Sequence, residues 1–449
     1  MSFIKVQDRK LVRAGQPIHL RGLNIGNYMQ VEYYMIGLPW TEYKMRAFFR
    51  QILGEQAFHA FWDTYMEVSM AEADFAFIKS CGFNLVALPM NYRHFLKDGT
   101  TGGFDPKGFA LVDRFIALAR QQGLYVMLSL HAAPGVQARD WNAESLYGEA
   151  YFWDHEFFRR QTIQLWQEIA ARYKDEPQVA GYKILNEPLC PDQAVFHRFN
   201  MDTTRAIREV DPNHVLIVSS NYWGKIIDNL EDELFEDEQI MPCLHCYHSQ
   251  FAPFGQMRKY PGIYRGKKYG REEFAAILDP SVDEKRIPRP YFVGEFGVYT
   301  KAPNLEAQFA MLDELTGIFN ERGYHWAFWD YKDLGDMGLV FPMVETPWAK
   351  FVNREDVVSL RRGYHRSGQK MKAILKKAAP EMEDSLGHLL GQSAHHWDAL
   401  ALPLVLEKLK ACSLRDLEAM ARSFAFENCQ VHPEKHAILT KYALEGKDV

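Results

Sequence analysis

Two glutamates lie at the ends of apolar runs, each in a short motif. Glu187 closes Lys183-Ile184-Leu185-Asn186-Glu187-Pro188, and Glu295 sits in Val293-Gly294-Glu295-Phe296-Gly297. One carboxyl that donates a proton and another that attacks or activates water are the minimal equipment for breaking a glycosidic bond. A third run ends Leu244-His245-Cys246-Tyr247. The same stretch, Cys243-Leu244-His245-Cys246-Tyr247-His248, invites a metal reading. In a strand, however, Cys243 and His245 point one way and Cys246 the other, and no second ligand pair follows at zinc spacing. The expectation is therefore no metal and no organic cofactor.

The elements that must position these residues alternate between short apolar runs and amphipathic stretches, the mark of parallel βα units. Eight strands are predicted: Leu20–Gly26, Phe83–Leu88, Leu124–Leu130, Val179–Glu187, His214–Ser220, Ile240–Tyr247, Tyr291–Phe296 and Tyr324–Trp329. Helical spacing predicts Ser69–Cys81, Phe109–Gln122 (with Gly123 as a stop), Glu156–Lys174, Gln193–Val210 and Asn304–Arg322. This order fits one α/β (β/α)8 TIM barrel over residues 1–350. Phe3–Val6 and Lys10–Val12 predict an N-terminal β-hairpin that plugs the barrel floor. Residues 351–449, rich in Leu, Ala, Lys and Glu, predict a C-terminal helical extension packed on the barrel. No G-x-G-x-x-G or Walker A pattern follows any strand, which leaves nucleotide binding without support. In such a barrel chemistry sits at the carboxyl ends of the strands, so Glu187 and Glu295 would face each other across the mouth.

At these positions the chain resembles glycoside hydrolase family 5, over roughly residues 3–345. Asn186-Glu187-Pro188 is similar to the family's acid/base motif and Gly294-Glu295-Phe296-Gly297 to its nucleophile motif. His245 and Tyr247 match a His/Tyr pair on the sixth strand, and Trp329 a tryptophan on the eighth. His131 matches an active-site position ending the third, and Leu20-Arg21-Gly22-Leu23-Asn24 looks like the first strand. The resemblance implies a retaining β-glycosidase: Glu187 protonated and donating to the leaving group, Glu295 ionised and attacking the anomeric carbon. It further implies that Asn186 bonds a sugar hydroxyl, Tyr247 donates to the nucleophile, His245 orients that side, and Trp329 floors the ring. One position departs. The family's second strand carries an Arg that supports the nucleophile carboxylate, and here that position is Ala87. Lys183 and Arg93 are candidate replacements, and Ala87→Arg is expected to raise activity. The departure also keeps open a catalytically silent carbohydrate-binding barrel.

Composition narrows the partners. Lys+Arg is 52 and Asp+Glu 58, a formal charge of −6, which gives no footprint for nucleic acid. The basic run from Arg361 to Lys377 is followed by Glu381, Glu383 and Asp384 and reads as a solvated helix face. No run of ~18 apolar residues predicts a membrane span, and the N-terminal residues lack a signal-peptide pattern, so a cytoplasmic location is expected. Aromatic residues make up 14% of the chain, and those in strand-following loops, Trp141 and Trp223 above all, are expected to stack on sugar; the resemblance adds Asn24, His131, Asn186, His245, Tyr247 and Trp329 as substrate-binding residues. The expected substrate is a β-linked gluco- or manno-configured oligosaccharide or small glycoside, cleaved from its end.

Overall fold

The computed structural model describes residues 2–445 apart from 97–102, 147, 226, 248–256, 280–283, 303 and 379–398. Eight parallel strands close into a barrel. They are Arg21–Asn24, Leu85–Asn91, Tyr125–Ala132, Val179–Lys183, Val215–Ser219, Ile240–His245, Phe292–Glu295 and His325–Phe328. The last pairs with the first through Trp326↔Arg21 and Phe328↔Leu23, which completes the ring. All eight expected strands are present, with ends shifted by a few residues. The fourth ends at Lys183, short of Glu187, because residues 184–187 leave the regular ladder.

Helices Glu72–Ser80, Pro106–Gln121, Glu156–Tyr173, Gln193–Arg208 and Leu305–Glu321 cover the barrel. Their starts follow local chemistry. The Asp105 carboxylate accepts from the Lys107 amide and Pro106 occupies the first turn, while Asp192 caps Gln193–Arg208 through the Ala194 and Val195 amides. Inside the barrel, Leu85, Ala87, Met127, Ala180, Ile217, Met241 and Cys243 form one cluster that Ile4 and Leu11 of the N-terminal strands join from below. Those strands, Ile4–Gln7 and Lys10–Arg13, pair as a hairpin and gain a third, Gln16–Ile18. Cys243 belongs to the inner cluster and Cys246 to the outer one, as strand alternation requires. His248 lies outside the described residues, as do Glu381, Glu383 and Asp384.

Two features were not legible as elements. Residues 42–68 fold into a run of helices after the first strand, including Glu42–Leu53. Its aromatic side chains Phe49, Phe61, Trp62 and Tyr65 pack with Trp348, Phe351, Leu402, Leu406 and Leu417 into a second core. Strand Cys429–Val431 pairs antiparallel with Val340–Pro342, and helix Pro433–Leu444 lies against Leu305–Glu321. Among the described residues no helix is long and apolar enough to cross a membrane.

Candidate active site

The strand ends bring the sequence candidates to one cleft of about 270 Å³. Glu187, Glu295, Tyr247, Trp329, Trp141 and Trp223 line it, together with Glu32, Tyr34, Asp140 and Asn142 from loops. Lys225, Tyr299 and Met337 also line it and were not anticipated. Lys225 and Tyr299 follow the fifth and seventh strands by a few residues, so loop position was the available signal.

Backbone geometry aims the carboxylates. Register shifts between Val293 and Glu295 where the seventh strand meets the sixth, and Glu295 comes level with His245; such an irregularity re-aims the side chain that follows it. A side chain at Gly294 would strike Cys243 Sγ at 2.6 Å and His245 Nε2 at 3.1 Å, so glycine is needed for the imidazole to sit there. Glu187 has φ 42°, and Tyr222 and Trp223 have φ 55° and 62°. Left-handed backbone at non-glycine residues costs of order 1–3 kcal/mol each and is retained where the surroundings enforce it.

The polar contacts run as a chain. Lys183 Nζ, buried on the fourth strand, donates to Asn186 Oδ1 and, at 2.9 Å, to His245 Nε2. His245 must then carry its proton on Nδ1, which donates to Glu187 Oε1 at 2.8 Å. Asn142 Nδ2 donates to Glu187 Oε2 at 2.7 Å, and the Tyr247 hydroxyl to Glu295 Oε2 at 2.8 Å. Glu295 Oε1 has no hydrogen-bond partner among the described residues and faces Lys183 Nζ at 3.9 Å. Burial and Lys183 push His245 well below the usual imidazole range and His131 down to about 3, so both rings are neutral.

Burial raises both carboxyls, Glu187 modestly and Glu295 more strongly, the latter also through the charge of Glu187. Lys183 and the Tyr247 hydroxyl pull Glu295 the other way. Two buried carboxyls this close hold a proton between them. One ligand atom from each of Glu187, His245 and Glu295 lies within 4.8 Å of the others, the spacing of a metal site. The hydrogen bonding gives these atoms another task, because His245 Nδ1 presents a proton, not a lone pair, to Glu187.

His131, Asn186 and His245 stand behind the cleft wall. His131 stacks on Trp329 with ring centres 5.1 Å apart, and its Nε2 meets Asn186 Nδ2 at 3.2 Å. Trp329 Nε1 donates to the Tyr34 hydroxyl at 2.6 Å, and Trp223 Nε1 to Asp140 Oδ2 at 2.8 Å, which fixes both indoles at the cleft. Asn24 corrects the sequence expectation: its Nδ2 donates to the Gly294 and Ala327 carbonyls at 2.9 and 3.1 Å, so it ties the first strand to the seventh and eighth and does not line the cleft. Of the two candidate cations, Arg93 is turned away. It stacks over Tyr43 at 4.0 Å and lines a separate hollow of about 730 Å³. Lys183 is the cation beside Glu295.

Comparisons with known proteins bear on the family and the fold. A β-xylosidase from Phanerodontia chrysosporium is 28% identical over 99% of this chain and 98% of its own length. Endoglucanase C from Acetivibrio thermocellus is 24% identical over 62% of this chain and 88% of its own. A crystal structure of a glycoside hydrolase superposes with a TM-score of 0.53 at 16% identity, covering 70% of this chain and 89% of that one. A β-glucanase from Saccharophagus degradans gives 0.51 at 16%, covering 75% and 86%; at such identity these two speak for the fold alone. The family model described as cellulase (glycosyl hydrolase family 5) matches residues 47–335, a stretch that contains both carboxylates and the strands presenting them, and the chain belongs to that family.

Proposed function

We propose that the chain is a retaining exo-β-glycosidase acting on β-linked oligosaccharides or small glycosides. The carrying observation is the buried pair Glu187 and Glu295 facing one small cleft, with one oxygen of each within 4.8 Å of the other, a closest approach that favours the narrower of the two carboxyl spacings. Retaining pairs are spaced about 5–5.5 Å and inverting pairs about 6.5–9.5 Å, the wider gap making room for water. Glu295 is raised more than Glu187, so the mechanism requires the shared proton to pass to Glu187; Glu187 then gives it to the glycosidic oxygen as the C1–O bond breaks, and Glu295, left ionised, bonds to C1. Water then attacks C1, Glu187 takes its proton, and Glu295 leaves as carboxylate. A cleft near the lower end of the ~300–1,000 Å³ range of ligand sites favours one terminal sugar over a long chain. The match to a β-xylosidase along the whole chain adds xylosides to the gluco- and manno-configured candidates.

The test is a panel of aryl β-xylosides, β-glucosides and β-mannosides, with the first-formed anomer read by NMR. A first product of β configuration with release of single sugars is expected. Rapid viscosity loss of a polymer would refute end-wise action, and an α product the retaining mechanism. The silent-barrel reading rests on Ala87, and turnover abolished by Glu295→Gln would exclude it.

A further inference from the structure

The eighth strand runs straight from the cleft into a turn, Asp330 to Gly338, and Met337 of that turn lines the cleft beside Trp329. The turn is held from two sides. On one side the Asp333 carboxylate accepts from its own backbone: Oδ1 from the Gly335 and Asp336 amides at 2.6 and 3.0 Å, Oδ2 from the Met337 amide at 2.6 Å. On the other side its carbonyls converge on one ammonium group. Lys435 Nζ, borne by the C-terminal helix Pro433–Leu444, donates to the carbonyls of Met337, Gly338 and Asp336 at 2.5, 3.2 and 3.4 Å. Lys435 is fully buried, and so is Asp330, whose two carboxylate oxygens have no hydrogen-bond partner among the described residues. A buried ammonium persists only when its protons are satisfied and its charge is compensated. Three carbonyls supply the first; burial pushes the ammonium down to about 8, and against it Asp333, Asp330 and Asp336, in that order, favour the charged form.

Converging carbonyls flanked by carboxylates are the ligand set of a hard cation. Here the cation is covalently part of the chain and arrives from a hundred residues away. The same turn also reaches the other wall of the cleft, because the Asp336 carbonyl accepts from the Thr300 amide and hydroxyl, both at 2.8 Å, next to cleft residue Tyr299.

The geometry points to Lys435 as a positioning residue: a tail-borne ammonium that takes the place of a bound cation in the 330–338 turn and so fixes Met337 and Trp329 at the sugar site. The C-terminal extension is thereby part of the active-site scaffold. The inference rests on the proposed hydrolytic function only for its kinetic readout.

The full-length chain is compared with Lys435→Met and with Lys441→Met. Lys441, exposed on the same helix as Lys435, pairs with Asp313 of Leu305–Glu321 at 3.0 Å and has no bond to the turn. Hydrogen exchange of peptides spanning residues 330–338 and kcat and KM on the best aryl glycoside are measured well below each melting midpoint. For Lys435→Met, exchange in 330–338 should quicken and kcat/KM fall about ten- to hundred-fold, the usual result of a misplaced site residue. Lys441→Met should change neither. If Lys435→Met does not fold, Lys435→Gln, which keeps two donors, decides with the same signs; loss of folding in both would overturn the positioning role. Unchanged exchange overturns the proposal whatever the kinetics, and faster exchange with unchanged kcat/KM overturns its functional half. A wild-type chain inactive on every glycoside would count against the proposed function alone and leave exchange to decide on Lys435.

Discussion

Lys183→Met isolates the cation beside the proposed nucleophile. The Nζ lies 3.9 Å from Glu295 Oε1, with both groups buried. At an effective dielectric near 20, that attraction is about 4 kcal/mol, equivalent to roughly three pH units on the titration of Glu295. Water entry and rearrangement of His245 and Asn186, which lose their donor, would cut this to about one to three. The sign follows from the role: Glu295 attacks as an anion, Lys183 favours the anion, and its removal raises the carboxyl further. The assay is kcat/KM against pH on a dinitrophenyl β-glycoside, whose leaving group needs little acid help, so the acid limb reports the nucleophile. That limb should move upward by about one to three pH units, with about a tenfold loss per unit on its acid side. An unmoved limb in a folded variant would refute the reasoning. The structure also revises the expectation for Ala87→Arg. With Lys183 already present, an added guanidinium near one carboxylate puts two cations where one charge is needed, so the single variant should lose activity. Lys183→Met combined with Ala87→Arg should recover part of what Lys183→Met loses, measured on the same substrate.

Glu187→Gln should cost about 10²- to 10⁴-fold on alkyl glycosides and far less on dinitrophenyl glycosides, because only the former need the proton; equal losses on both would contradict the acid role. Burial and the charge of Glu187 push Glu32 up to about 8, so folded protein holds a proton there that unfolded chain releases near pH 4.5. Stability should therefore fall as pH rises from about 4.5 to 8, by up to about 1.4 kcal/mol per pH unit from this group, and Glu32→Gln should flatten the melting-temperature profile over that range. Trp348 is fully buried against Phe61 and Phe351, and its Nε1 donates to the Ile36 carbonyl at 2.8 Å. Trp348→Ala should lower stability by about 3–5 kcal/mol in chemical denaturation.

Much of the fold was legible because it rests on local rules. Period-two and period-3.6 patterns are written in consecutive residues, so eight strands and five helices could be placed to within a few positions. Helices 42–68 were missed because they bury aromatics against the distant tail, and a pattern whose partner is hundreds of residues away does not announce its face. Strand four stops early at Lys183 because the chain must turn Glu187 into the cleft through a left-handed backbone, which propensity disfavours.

The sequence by itself determined the barrel, the two carboxylates and the absence of the second-strand Arg, since each depends on residue type at a strand end. Tertiary structure alone decided which residues touch. Asn24 has the right type at the right strand end, yet its amide is engaged by two backbone carbonyls. Lys183 and Arg93 were equal candidates in sequence; the barrel interior presents one to Glu295 and a loop carries the other away. Lys435 had no local signal, because its three acceptors come from a turn a hundred residues earlier. Burial separates these cases: a charge or amide in the interior takes whatever partner the packing of remote segments supplies, and that packing is not written in any local stretch of chain.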